Sequence, residues 1–156
     1  MALGKFTSSP GGSPKTVDAS FAYGAMLSAS YEVLSGLLVG LAPQYTFNVR
    51  DKNASAAAKE LDILVRLAYA YRPAEGLAVY VEVLPGYSII FPPSGDSARG
   101  MVLAFGAGAV MDISDRVFAN IGAGYQYGFQ NRMEESTSLE TRTKYVRVTV
   151  GGGMRF

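Results

Sequence analysis

The sequence predicts an all-β chain, a closed antiparallel up-and-down transmembrane β-barrel of eight strands occupying residues 1–156 as a single domain. Three observations predict it. Apolar residues recur at every second position, the period of a pleated strand. One face of this alternation carries no charge on seven strands, while the opposite face mixes charges of both signs with Gly, Ala and Ser. The aromatic residues of the uncharged face fall into two zones of height, with an aliphatic band between them.

The elements follow in order. "MALGKF" reads as a short first strand, and "TSSPGGSP" as a long loop after it. Val17 to Val33 alternates Phe21, Tyr23, Leu27 and Tyr31 with Asp18, Ser20, Gly24 and Glu32, and "SG" then turns the chain. Leu37 to Val49 is the next strand, and "RDKNASAAAK" the next loop. Leu61 to Tyr71 places Ile63, Val65 and Leu67 against Glu60, Asp62 and Arg66, and "PAEG" turns it into Leu77 to Ile89. "FPPSGDSAR" is a loop, Met101 to Ile113 a strand, "SD" a turn, and Val117 to Phe129 a strand. "QNRMEESTSLETRT" is a long polar loop leading to the last strand, Tyr145 to Phe156. Connections are therefore alternately short and long. Tyr45, Tyr87 and Tyr125 recur after the short turns in "PQY", "PGY" and "AGY", the mark of a repeated hairpin. Pro43 and Pro85 each remove a ladder donor, so bulges are expected there.

Alternation alone does not say which face is outside. A soluble exterior would be dense in Lys and Glu. Here the polar face is sparse in charge and rich in small residues, which suits a narrow lumen. Near the short turns the apolar face carries Tyr31, Tyr69, Tyr71 and Phe156; toward the long loops it carries Phe21, Tyr23, Tyr45, Phe47, Tyr87, Tyr125, Tyr127 and Phe129. Aromatic girdles around an aliphatic belt are what two headgroup interfaces select. No stretch reaches the roughly 18 apolar residues of a spanning helix, which leaves the barrel as the membrane-crossing form. "MALGKFTSSPGGSPK" has no apolar core of signal-peptide length, so either the chain stays in the cytosol or its leader has been removed; the barrel reading takes the second.

The last strand carries a further pattern. Val146, Val148, Val150, Met154 and Phe156 alternate with Tyr145, Arg147, Thr149 and Arg155. At these residues the chain resembles the eight-stranded outer-membrane barrels of Gram-negative bacteria, the OmpA-like and OmpX-like family. The resemblance covers nearly the whole chain as a pattern. It implies an integral outer-membrane location, a lipid-bilayer environment, and a C-terminal signal read by the barrel-assembly machinery, carried here by Val148, Val150, Met154 and Phe156. Gly152, the absence of Trp, and Pro43 and Pro85 depart from the family pattern.

Composition narrows function further. There are 14 Lys+Arg and 13 Asp+Glu, a net charge of +1, which gives no electrostatic case for nucleic acid. Cys and His are both absent, which removes thiolate metal sites and the commonest general base. The enzymes the resemblance suggests mostly use histidine, so the expectation is a non-enzymatic protein without cofactor or metal. "GAGAV", "GAGY" and "GGGM" are not followed by a helix or a Lys-Ser/Thr pair, and read as strand glycines. "EESTSLE" reads as a solvated loop tip. The lumen charges read as a structural network of Arg66, Glu82, Asp112, Arg116, Asn120 and Arg147. A register opposing Arg72 with Gly76 sets Arg66 across from Glu82; around "SD", Asp112 faces Arg116 and Gly108 faces Asn120. The expected role is structural, or attachment and protection at the cell surface through the long loops of a monomer. The alternatives are a narrow channel for small solutes and a soluble lipocalin-like ligand-binding barrel.

Overall fold

In the computed structural model, which describes residues 2–9, 15–18, 20–50, 55–134 and 137–155, the alternation becomes a single antiparallel sheet with no helix among the described residues. Its strands are β1 (Ala2–Ser9), β2 (Lys15–Asp18), β3 (Tyr23–Met26), β4 (Ala29–Leu34), β5 (Leu37–Leu41), β6 (Gln44–Val49), β7 (Ala58–Ala74), β8 (Leu77–Phe91), β9 (Ala98–Asp112), β10 (Val117–Glu134) and β11 (Thr137–Met154). β2, β3 and β4 are stretches of one expected strand, and β5 and β6 of the next. With those joined, the chain runs up and down as the alternation predicts. β1 confirms the short first strand and lies between β11 and β2.

The short connections are built on backbone geometry. Ser35-Gly36 and Glu75-Gly76 form tight turns, with Gly36 at φ 81° and Gly76 at φ 72°, a region open to glycine at little cost. The third turn is longer: the amides of Ile113 and Ser114 both donate to the carbonyl of Val117.

Four expectations are corrected. First, neither proline makes a bulge. Across Pro43 the ladder is interrupted but stays in register on β7, with Leu41 opposite Val65 and Gln44 opposite Asp62. At Pro85 the β7–β8 ladder skips from Leu64–Gly86 to Leu67–Val83, again without a shift. A missing N–H removes a bond, not a residue. The shifts fall between Glu32 and Leu34, Thr46 and Val49, and Tyr71 and Ala74. In the second of these, Asn48 takes φ 61° and its side-chain amide donates to the carbonyl of Phe21 at 2.5 Å.

Second, the register at two hairpins differs by two residues. Tyr71 pairs with Val79, so Ala68, not Arg66, faces Glu82. Asp112 faces Phe118, and Gly108 faces Gly122. The faces are unchanged because a shift of two preserves side-chain parity. Third, the expected loop "QNRMEESTSLETRT" is mostly paired strand, with Phe129 opposite Arg142 and Glu134 opposite Thr137. A strand extending beyond an apolar belt needs no apolar face, so hydropathy does not reveal it. The backbone of Glu135 and Ser136 in "EESTSLE" lies outside the described residues, as does Phe156.

Fourth, the hydrogen-bonded sheet is not closed. Its path runs β2-β1-β11-β10-β9-β8-β7-β5-β4, with β6 beside β7 and β3 beside β6. β1 pairs with β11 only as far as Ala2 opposite Arg147, whereas β10 accompanies β11 to Met154. The described residues thus leave one seam, between the end of β11 and the β3–β4 stretch.

The two faces are sorted by chemistry. Leu41, Ile121 and Val150 point outward and are 57%, 58% and 80% exposed. They belong to a belt with Val65, Leu67, Val81, Val83, Leu103 and Val148. Tyr31, Tyr69 and Tyr71 lie on this outer face toward the short turns, and Phe21, Tyr23, Phe47, Tyr87 and Phe129 toward the long connections. Inside, Ala42, Leu64, Leu84, Val102 and Ala104 form a small apolar cluster with Met26 packed against it. This arrangement is the reverse of a soluble lipocalin-like barrel, whose apolar face lies inward.

Candidate functional site: the polar interior

The inward positions of β7, β8, β10 and β11 alternate with belt residues, so each ionic side chain in the interior follows from the parity of its strand. β7 contributes Glu60, Asp62 and Arg66; β8 contributes Tyr80, Glu82 and Ser88; β10 contributes Asn120, Gln126 and Gln130; β11 contributes Thr143, Tyr145 and Arg147.

Glu82 is the hub. Its Oε2 accepts from Arg66 Nε at 2.8 Å and its Oε1 from Arg147 Nη2 at 3.1 Å. Although Arg66 is not directly opposite Glu82, its long side chain reaches diagonally along the face. Arg66 also donates to Ser30 Oγ at 3.4 Å and stacks its guanidinium 5.3 Å from the Tyr80 ring centre. Arg147 donates to Gln44 Oε1 at 3.3 Å, and Gln44 Nε2 donates to Asp62 Oδ2 at 3.3 Å. Gln126 Nε2 donates to the same Asp62 oxygen at 2.9 Å. The bonds run continuously from Ser30 across the interior to Gln126.

A second group surrounds Glu60. Ser88 Oγ and Tyr145 Oη each donate to it at 2.9 Å, and Gln130 bridges Ser88 to Thr143. Glu60, Asp62, Ser88, Gln130 and Thr143 are completely buried. Buried polar groups are costly unless satisfied; these are held by neutral amides and hydroxyls, with Asp62 Oδ1 left without a partner among the described residues.

Three of the six network residues read from the sequence therefore meet: Arg66, Glu82 and Arg147. Asn120 lies along the inner wall beside Tyr80. Asp112 stands at the short-turn end, where its partner is Arg155 at 2.6 Å. Arg116 is exposed at the turn and is not opposite Asp112, because the longer hairpin loop moves the register. Of the C-terminal residues, Val148, Val150 and Met154 all face outward. The sequence reading did not assign Gln44, Ser88, Gln126, Gln130, Thr143 and Tyr145 to the network. Their signal was polar identity at the inward parity, which uncharged side chains carry weakly.

The same wall explains two glycines. A Cβ at Gly122 would lie 2.7 Å from the Tyr80 hydroxyl and 3.0 Å from Thr149 Oγ1, and one at Gly108 would also meet that hydroxyl, at 2.5 Å. Glycine makes room for the tyrosine across the interior. Beside it lies a cavity of about 740 Å³, lined by residues that include Ala22–Ser28, Asn120 and Val148–Met154. Among the described residues, no group of three or more acidic, His or Cys side chains is placed to hold a metal.

An antiparallel meander with an apolar exterior and an ionic interior has the fold of the outer-membrane β-barrels. Solved structures agree. The chain is similar to Neisserial surface protein A (TM-score 0.60, 16% identity, covering 99% of this chain and 94% of that one). It is likewise similar to the outer membrane protein OprG from Pseudomonas aeruginosa (TM-score 0.62, 14% identity, 99% and 94% covered). No protein-family model matches the sequence, and no curated protein matches it.

Proposed function

We propose that this protein is an integral barrel of a bacterial outer membrane, without catalytic activity, that acts as a structural or surface attachment and protection element through its long-connection end. The observation that carries the reading is the outward apolar belt, with Ile121 and Leu41 more than half exposed, around an interior where Glu82 is 7% exposed. A belt of that extent far exceeds the apolar patches of soluble monomers, and its natural solvent is hydrocarbon. The interior offers salt bridges and hydrogen-bonded amides, its Ser88–Glu60 contact is completely buried, and the chain has no histidine. The Arg66–Glu82–Arg147 bridge and the Leu64–Leu84 cluster support a plugged lumen.

In this reading the bilayer is the main partner and the barrel is a monomer. The barrel-assembly machinery reads Val148, Val150, Met154 and Phe156 at the C-terminus. Refolding into lipid tests it: heat-sensitive gel mobility and β-type circular dichroism are expected, and a chain that stays monomeric and β-rich without detergent overturns it. An epitope inserted at Gly95, in the connection between β8 and β9, should be accessible on intact cells.

The second reading is a narrow channel, favoured by the 740 Å³ cavity beside the network. Planar-bilayer recording separates the two, because a plug gives no unitary conductance and a channel does.

A further inference from the structure

Two carboxylates of the interior stand together without a positive partner. Glu60 and Asp62 are alternate residues of β7 and both completely buried, so they share the inner face at a spacing of roughly 7 Å along the strand. Arg66 and Arg147 give their hydrogen bonds to Glu82, Ser30 and Gln44. Among the described residues, no Lys or Arg forms an ion pair with Glu60 or Asp62; their donors are Ser88, Tyr145, Gln44 and Gln126, all neutral. A carboxylate taken out of water calls for an opposite charge, and here two adjoin.

Unused acceptor capacity is concentrated at the same place. Each carboxylate oxygen accepts about two hydrogen bonds. Asp62 Oδ2 takes two, from Gln44 and Gln126, while Asp62 Oδ1 is enclosed and takes none. Glu60 takes one on each oxygen, from Ser88 and Tyr145. Ser88 lies opposite Asp62 on β8 yet donates to Glu60, so its hydroxyl stands between the two carboxylates. On the other flank, Thr46 lies opposite Glu60 and Gln44 opposite Asp62. Gln44, Thr46, Gln126 and Tyr145 also line the interior cavity, which gives water and ions a path to the pair.

We propose that Glu60 and Asp62 form a binding site for one hard divalent cation of calcium's class, held by Asp62 Oδ1, Glu60 and the Ser88 hydroxyl, with water from the cavity completing its shell. The two carboxylates cancel the ion's charge. Every donor in reach is an oxygen, which suits calcium and disfavours the softer metals that seek nitrogen or sulfur. Calcium also takes roughly six to eight oxygens in irregular geometry, whereas magnesium demands a stricter octahedron and keeps its waters. The ion would fasten β7 to β8 at the level of Tyr45 and Tyr87, which lie opposite Leu61 and Ile63 toward the long connections. The site goes beyond the surface-element reading and is the same for a plug and for a channel, so its test needs no assay of either.

The full chain is folded in a non-ionic detergent, where no lipid phosphate competes, and stripped of metal with EDTA. Terbium(III), a luminescent stand-in for calcium, is the probe. The chain has no Trp, and Tyr145, bonded to Glu60, is placed to sensitise the emission. The expected result is one ion per chain, displaced by calcium. Asp62→Asn should weaken binding by more than about tenfold, since even the outer partners of metal ligands act on that scale. Asp112→Asn, at the short-turn end, should bind like the parent. No sensitised emission, or binding undiminished in Asp62→Asn, overturns the proposal; so does an equal loss in Asp112→Asn, which would place the ions on exposed acids. If Asp62→Asn fails to fold, the native chain decides. Calcium should raise its denaturant midpoint over that in EDTA at fixed ionic strength. A midpoint that ignores calcium overturns the proposal, and one that rises with acid instead assigns the pair to a shared proton.

Discussion

Replacing Glu82 by Gln is the sharpest perturbation the interior offers. The side chain keeps its size and loses its charge. In the native protein its two oxygens accept from two arginines, at 2.8 Å and 3.1 Å, and the side chain is 6% exposed. Arg66 and Arg147 would then share a buried site with no carboxylate between them. One amide oxygen can still accept, but the amide NH₂ meets a guanidinium donor to donor. Breaking a buried pair in this way costs about 3–5 kcal/mol. The residual contacts of Arg66 with Ser30 and Tyr80, and of Arg147 with Gln44, place the expected loss near the lower end of that range. Denaturant unfolding of the detergent- or lipid-folded barrel, followed by tryptophan-independent far-UV signal, measures it. A double variant with Arg147→Met should lose less than the two single changes added together, because the pair is coupled. Insertion itself should persist, since the outer belt is untouched. A loss below about 1 kcal/mol, the scale of an exposed pair, would show that water already screens the interior and would refute the plug.

Three further outcomes are expected. Val83→Arg, on the outer face opposite Leu67 and Phe105, should cost about 2–4 kcal/mol in lipid-folded protein near the belt's centre; a stability like that of the parent would invert the face assignment. Gly122→Ala should destabilise by about 1–3 kcal/mol through overpacking against the Tyr80 hydroxyl, and Tyr80→Phe in the same chain should recover part of the loss in the same unfolding assay. Asp112→Ala should leave stability close to that of the parent in the same assay, because its partner Arg155 is at the solvated turn end and 39% exposed; a clear loss would place that pair within the packed interior.

Much of the interior was readable because parity is a local property. Glu60, Asp62, Arg66, Glu82 and Arg147 point inward whatever the register, and a shift of two residues at the Glu75-Gly76 turn did not move them to the other face. The partner of each charge was not readable. Arg66 reaches Glu82 from a position opposite Leu84's neighbourhood only because its side chain is long, while Asp112 exchanged Arg116 for Arg155 when the turn after it proved longer. The amides Gln126 and Gln130 carry no charge to draw notice, yet they satisfy Asp62 and Ser88 from across the interior.

The amino-acid order by itself determined the belt-spanning part of the strands and their inward and outward faces, because pleating repeats every two residues and a hydrocarbon belt leaves its mark on one parity; it did not show that β10 and β11 continue as paired strand through the expected loop. Only the tertiary structure decided which charges meet, that Pro43 and Pro85 interrupt the ladder without shifting it, and that the sheet keeps a seam beside Thr149–Met154. Those features depend on how far apart in sequence two strands are when they become neighbours, and on the lengths of the turns between them, which no local pattern encodes.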